Sequence, residues 1–361
     1  MRAFQEMVLV LKALSLILSG GKTMKKMIFV LLIALVFLFG CVQEKQKENT
    51  LTIYTYDSMV SEYGLGIKVI PEFEKTCNCK VNLVSKGDAG QLLSSLVLEK
   101  DNPKADLVLG LDNSLLPKAI KENVLEEFTP KNIDLVPKEI RFYKQGYLTP
   151  YDFGFIAFVY DSEKIDFELN NFYSMLDSRL EKKIAIQNPR TSSPGLALLL
   201  WTIQVYGDPG YKEFWKAFKP NVLIVTNGWD ESAGLFSAGE VPVYLSYATS
   251  PAYYAEFEDI NHFLAAEFEE GHYIQIEGTG MVKNTKNRKL AEQFIEFTLS
   301  EKFQKEIPFT QFMFPVNEKV ELPQAFTKYA VMPGKKLELD SKLVEEKQEE
   351  WIKEWEKIMS S

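Results

Sequence analysis

Two short stretches of the chain carry the same chemistry. Thr191-Ser192-Ser193-Pro194-Gly195 and Ala248-Thr249-Ser250-Pro251-Ala252 each end an apolar or aromatic run and open a predicted helix. Ser before Pro reads as a helix cap followed by the first helical residue. The hydroxyl accepts a free N–H, and Pro stands where no N–H is needed. A helix start lined by small hydroxyl residues is a seat for an anion. Aromatic residues crowd the second copy: Trp229, Tyr244, Tyr247, Tyr253 and Tyr254. Together they fit a flat ligand carrying a phosphate or carboxylate. Either Ser-Pro pair alone is most often only a cap, and a lone Trp or Tyr is core as often as ligand wall. It is their joint placement on neighbouring loops that points to a site.

The elements that must position these residues alternate. Strands are predicted over 51–56, 81–85 and 105–110, with helices over 67–75, 88–98 and 113–122. In the first helix Ile67, Ile70 and Phe73 share a face. This order implies a doubly wound sheet, with the loops after Tyr56, Ser85 and Gly110 together at its carboxyl edge. The pattern restarts after an aromatic stretch, Thr149–Tyr160. Strands over 183–187, 222–226 and 241–246 alternate with helices over 194–206, 212–218, 230–238 and 251–257. Two crossings are expected between the lobes, over 151–160 and 272–280. Residues 51–150 and 278–361 then form the first lobe, and 151–277 the second. A last amphipathic helix over 340–359 presents Leu343, Val344, Trp351, Trp355 and Ile358 for packing.

Residues 1–40 read as a leader. Met24-Lys25-Lys26 is a positive start, Met27–Phe39 an uncharged apolar run, and Leu38-Phe39-Gly40-Cys41 a lipidation box. The expected start is Met24, and Cys41 is the expected lipid-bearing residue, followed by a polar tether to residue 50. The body is therefore expected outside the cytoplasm, anchored to the outer face of the cell membrane. The 361-residue chain has 41 Lys and Arg against 50 Asp and Glu. Without the leader the net charge is −13, which disfavours nucleic acid and attracts cations. Cys77 and Cys79 are the remaining cysteines. A disulfide between them is the favoured expectation over two free thiols, and no further Cys or nearby His completes a metal set.

Several strings resemble the thiamine-binding periplasmic proteins of thiamine ABC transporters. They are Tyr54-Thr55-Tyr56-Asp57-Ser58, Cys77-Asn78-Cys79, the run from Ala105 to Asn113, and the run from Asn188 to Gly195. Gly228-Trp229, the run from Leu245 to Tyr253, Gly271-His272-Tyr273 and Phe314-Pro315-Val316 continue the likeness. It covers nearly all of the chain after the leader, in order. The resemblance implies an α/β, two-lobe type II periplasmic-binding fold with two hinge crossovers and a ligand cleft between the lobes. It implies a monomer that carries thiamine, or its mono- or diphosphate, to an ABC permease driven by an ATPase. No cofactor, metal or catalytic group is called for. Carried over residue by residue, the phosphate end would meet Asp88, Ala89, Ser192, Ser193, Trp229, Tyr247, Ala248, Thr249 and Ser250. The ring system would lie against Tyr56, Tyr253 and Phe312.

The chemistry of these residues agrees. Thiamine is a flat aminopyrimidine joined to a cationic thiazolium, and each aromatic face attracts such a cation by about 0.5–2 kcal/mol. Asp57, Asp88 or Asp112 could meet the aminopyrimidine. Two positions depart from the family pattern. Ala89 stands where Gly is frequent, with Gly90 following, and Phe312 stands where Trp is frequent. Two rival readings have their own markers. A thiamine-degrading enzyme of this fold class would use a Cys nucleophile. Tyr253-Tyr254 resembles the paired tyrosines of ferric-ion-binding proteins, although neighbours on a helix point about 100° apart.

Overall fold

The computed structural model describes residues 49–144 and 146–361. The expected leader, the expected start at Met24, the expected lipidation at Cys41 and the expected tether up to residue 48 fall outside the described residues. The chain begins with β1 (Thr50–Thr55), α1 (Leu65–Cys77), β2 (Lys80–Ser85), α2 (Ala89–Leu98), β3 (Leu107–Asp112), α3 (Leu116–Lys121) and a short β4 (Leu125–Glu126). The long β5 (Thr149–Asp161) leads to β6 (Ile184–Gln187), α4 (Ser193–Tyr206), α5 (Gly210–Phe218) and β7 (Val222–Thr226). Then come α6 (Trp229–Ser237), β8 (Val243–Tyr247), α7 (Ser250–Phe257), β9 (Phe263–Ala265) and β10 (His272–Val282). The chain ends with α8 (Arg288–Thr298), α9 (Glu301–Gln304), α10 (Ile307–Thr310), β11 (Phe314–Pro315), α11 (Gln324–Tyr329), β12 (Lys336–Leu337) and α12 (Ser341–Ser360).

The strands order as β2-β1-β3-β10-β5-β8-β6-β7. β1 pairs in parallel with β2 and β3, and β6 in parallel with β7 and β8. Between these parallel triplets lie β10 and β5, antiparallel to each other and to the strand beyond. Both are long enough to serve the two halves at once: residues 149–155 of β5 pair with β10, and residues 156–160 with β8. These are the two crossings expected from the sequence. Parallel triplets buried under helices need local β-helix-β units, which is what the alternating pattern encodes.

Three details differ from expectation. α1 starts two residues early, so its buried stripe is Leu65, Val69 and Phe73, spaced by four, and Ile67 is exposed. α3 starts late because Asp112 and Asn113 are engaged elsewhere. Asp112 Oδ1 accepts the Ser114 and Leu115 N–H groups, while Asn113 brackets β10 through the Ile276 N–H and the Ile274 carbonyl. The terminal helix α12, expected with the first lobe, also packs on α4 and α5 of the second. Trp355 meets Trp215 edge-on at 5.6 Å, and Glu356 pairs with Arg190 at 2.6 Å.

Candidate ligand site

A cavity of about 430 Å³ opens between the two halves, at the carboxyl ends of the parallel strands. Tyr56, Asp88, Ser193, Trp229, Tyr247, Ser250, Tyr253 and Phe312 line it. Ala89, Ser192, Ala248 and Thr249 are buried and do not line it.

On the first half, Tyr56 follows β1 and is held by a network. Its hydroxyl donates to Glu277 Oε2 at 2.7 Å, and the Tyr151 hydroxyl donates to the same oxygen at 2.7 Å. Gln275 donates to Glu277 Oε1 at 3.2 Å and to the Tyr247 hydroxyl at 2.9 Å, so β10 ties both walls together. Gln311, next to Phe312 in the chain, donates to the Tyr56 hydroxyl. Gly110 makes room for this ring. Its φ is +104°, and a Cβ there would stand 2.1 Å from Tyr56 Cε1.

Glu277 lies at the centre of a row of carboxylates. In the strand register it faces Asp112 on β3 and Asp152 on β5. Burial raises the proton affinity of all three, and the Tyr151, Tyr56 and Gln275 donors counter this at Glu277. Neither oxygen of Asp152 has a hydrogen-bond partner among the described residues, and its acidity is weakened first by burial and then by Glu277. The arrangement favours the charge on Glu277, which has donors, and the proton on Asp152, which has none.

The helix starts are capped differently from expectation. α4 has Ser192 as its cap, with Ser193 and Pro194 inside the first turn, and α7 has Thr249 as its cap; neither hydroxyl accepts an N–H of its own helix. Ser250 instead bonds the Ser246 hydroxyl at 2.7 Å and the Tyr247 N–H at 3.3 Å. Beside α4 a carboxylate from the opposite half stands at two other helix starts. Asp88, which caps α2 in a capping box with Gln91, accepts the Ala89 N–H at 2.6 Å and the Trp229 N–H of α6 at 2.9 Å. Burial raises its proton affinity, and these N–H donors, with the start of α4 nearby, favour its charged form. Two helix starts, α2 and α6, thus meet on one side chain.

The aromatic wall belongs mainly to the second half. Trp229 donates its indole N–H to Ser246 Oγ at 2.9 Å. Tyr253 meets Phe312 edge-on at 5.1 Å, and Phe312 stacks on Phe326 at 5.8 Å. Tyr254 also lines the cavity, and its hydroxyl is engaged in a 3.0 Å hydrogen bond with Tyr244.

Cys77 and Cys79 are bonded to each other across Asn78, which closes α1 in the left-handed conformation. Neither sulfur is a free nucleophile. His272 is buried; its Nδ1 faces the Ile156 carbonyl at 2.8 Å and its Nε2 accepts the Phe268 N–H at 2.9 Å, which suits a neutral ring protonated on Nδ1. Sequence reasoning missed Gln275, Glu277 and Gln311. The first two carried a legible signal, since they are the polar members of an otherwise apolar or small-residue crossing strand.

The model of the family described as bacterial extracellular solute-binding protein matches residues 102–336. The thiamine-binding periplasmic protein of Brucella melitensis is 39% identical over 332 residues, spanning 91% of this chain and 98% of its own length. That of Salmonella typhimurium is 38% identical over 321 residues, spanning 89% of this chain and 96% of its own. A solved periplasmic thiamin binding protein superposes with a TM-score of 0.82 at 38% identity, covering 88% of this chain and 98% of that one. The chain therefore belongs to the bacterial extracellular solute-binding proteins, in the group of thiamine-binding periplasmic proteins.

Proposed function

We propose that this protein captures thiamine, free or as its mono- or diphosphate, in the cleft between its halves and delivers it to an ABC permease and its ATPase. The observation that carries the reading is the composition of the cavity. Aromatic faces from Tyr56, Trp229, Tyr253 and Phe312 stand among the carboxylates of Asp57, Asp88, Asp230, Glu231 and Glu277, and among the described residues no Lys, Arg or His lines it. A flat organic cation satisfies both features: its faces meet aromatic rings and its charge meets carboxylates. The relatives' names supply the particular cation, and with it a place outside the cytoplasm. A monomer tethered by lipid at Cys41 suits that role.

Binding without turnover fits the residues. The cysteines are joined to each other, and of the adjacent tyrosines that would recruit ferric iron, Tyr254 has its hydroxyl engaged by Tyr244. Mass spectrometry of small molecules released from the full chain purified in mild detergent tests the reading, followed by calorimetric titration with thiamine. The expected result is a thiamine compound bound at one site. Absence of thiamine binding, or a visible charge-transfer band on ferric loading, would overturn it.

A further inference from the structure

Taking the ligand as the thiamine-type cation proposed above, we infer that Asp152, buried in the crossing strand β5, gives up a proton when the cation enters the cleft. Capture is then coupled to proton release. Asp152 is fully buried and does not line the cavity, and neither of its oxygens has a hydrogen-bond partner among the described residues. A buried carboxylate without donors is costly, and the neutral acid is much less so. Directly opposite in the strand register stands Glu277 on β10. Glu277 is well served: the Tyr56 and Tyr151 hydroxyls each donate to its Oε2 at 2.7 Å, and Gln275 donates to its Oε1 at 3.2 Å. Asp112 on β3 faces Glu277 from the other side, and Asp88 at the start of α2 and Tyr247 on β8 also lie within its field. Among the described residues no Lys, Arg or His lines the cavity. Two facing carboxylates with no cation to offset them hold one proton between them. The donors fix the charge on Glu277, which leaves the proton on Asp152.

Glu277 is the member of this pair that lines the cavity. An organic cation beside it supplies the positive charge that the pair lacks. Ionising Asp152 then costs less, its proton passes to solvent, and two carboxylates hold the cation where one stood before. Asp152 thus sets affinity through Glu277 without touching the ligand. Burial and the Glu277 charge both weaken the acidity of Asp152, so its proton is still present in the empty cleft at mildly alkaline pH. Other acids near the cavity titrate lower. Burial pushes Asp230 up to about 6 and Asp112 up to about 7, so both are largely ionised at about pH 8 with or without ligand.

The test is calorimetric titration of the full chain with thiamine at about pH 8, in phosphate and in Tris. The two buffers take up a released proton with very different heats, so the difference in observed enthalpy counts protons. The aminopyrimidine of the free ligand is neutral at this pH. The wild-type protein should release about half to one proton on binding. The free protein holds more protons than the complex, so affinity should tighten with pH, by about three- to tenfold between about pH 7 and 8. Asp152→Asn keeps the shape of the neutral acid and does not ionise, and its proton release should be at least about threefold smaller. Asp112→Asn should keep most of the release. A buffer-independent enthalpy in the wild type, or wild-type release from a folded Asp152→Asn, would overturn the inference. Infrared difference spectra need no variant: the carbonyl stretch of a buried neutral carboxyl should be present in the free protein and lost on adding thiamine. Its persistence in the complex would equally overturn the inference. If thiamine binds without releasing a proton, only the coupling falls; if no thiamine compound binds, the proposed function falls with it.

Discussion

At the scale of single residues the site depends on rings held in place by polar partners. Phe312 has a φ of +51°, a left-handed conformation that costs a non-glycine residue on the order of 1 kcal/mol. Its N–H is fixed to the Ile307 carbonyl at 3.2 Å and its ring is clasped between Tyr253 and Phe326. The strained backbone is what turns the ring toward the cleft. Phe312→Trp should therefore keep the backbone and enlarge the face, giving thiamine affinity equal to wild type or tighter by roughly 0.5 kcal/mol. A tenfold loss by calorimetry would show that the clasp has no room for indole. Trp229 offers the contrasting case. Trp229→Ala removes a wall and opens the cleft to water, and the expected loss is about 1.5–3 kcal/mol of binding free energy. Trp229→Phe should fall between, because it keeps a face and loses only the 2.9 Å bond to Ser246. Unchanged affinity in the alanine variant would remove Trp229 from the site.

At the scale of elements, the crossing strands place acidic groups side by side. Asp112, Glu277 and Asp152 come into register across β3, β10 and β5, although like charges directly opposite destabilise a sheet. Asp112 is fully buried and its pKa is pushed up to about 7 by burial and by the nearby Glu277 and Asp88 carboxylates, against an ordinary value of 3.8. The folded protein thus holds this proton more tightly than the unfolded chain. Its contribution to stability is present below about pH 4 and is lost as pH rises toward 7. Asp112→Asn keeps the oxygen that accepts the Ser114 and Leu115 N–H groups and abolishes the titration. At about pH 8 its thermal midpoint should lie several degrees above wild type, with little difference near pH 4. Parallel midpoint-against-pH curves for the two proteins would refute this role. The row also shows where sequence reading stops. The strand-helix alternation was legible because each parallel unit is local. The carboxylate row was not, because its members lie far apart in the chain and only the pairing of β10 with both neighbours aligns them. The helix caps failed for the same reason. A local rule assigns Ser193 and Ser250 to their own helices, whereas Ser250 bonds back to Ser246 and Tyr247, and the acceptor at the start of α6 is Asp88, brought from the other half by tertiary packing.

At the scale of the whole molecule, the two halves touch across the cleft through backbone groups. The Gln91 N–H donates to the Thr191 carbonyl at 3.2 Å, beside the Trp229 bond to Asp88. Gly90 allows this approach: a Cβ there would stand 2.6 Å from the Arg190 carbonyl oxygen and 2.7 Å from Thr191 backbone atoms. Backbone cannot swing aside as a flexible side chain can. Arg190 is itself fixed from behind by two bonds to Glu356 on α12, at 2.6 and 3.0 Å. The clash in Gly90→Val is thus relieved most easily by the halves rotating apart about β5 and β10, since each half keeps its own sheet and helices. The variant should remain folded, with a thermal midpoint within a few degrees of wild type in the absence of ligand. It should lose most of its affinity, by about ten- to a hundredfold, chiefly through faster dissociation, because ligand stabilises the protein only by what it gains in the closed form. Small-angle scattering separates this from a local defect. Thiamine should compact the wild-type protein and leave Gly90→Val open at saturating ligand. Full compaction with wild-type affinity would show that the loops around Asp88 and Arg190 close by another path.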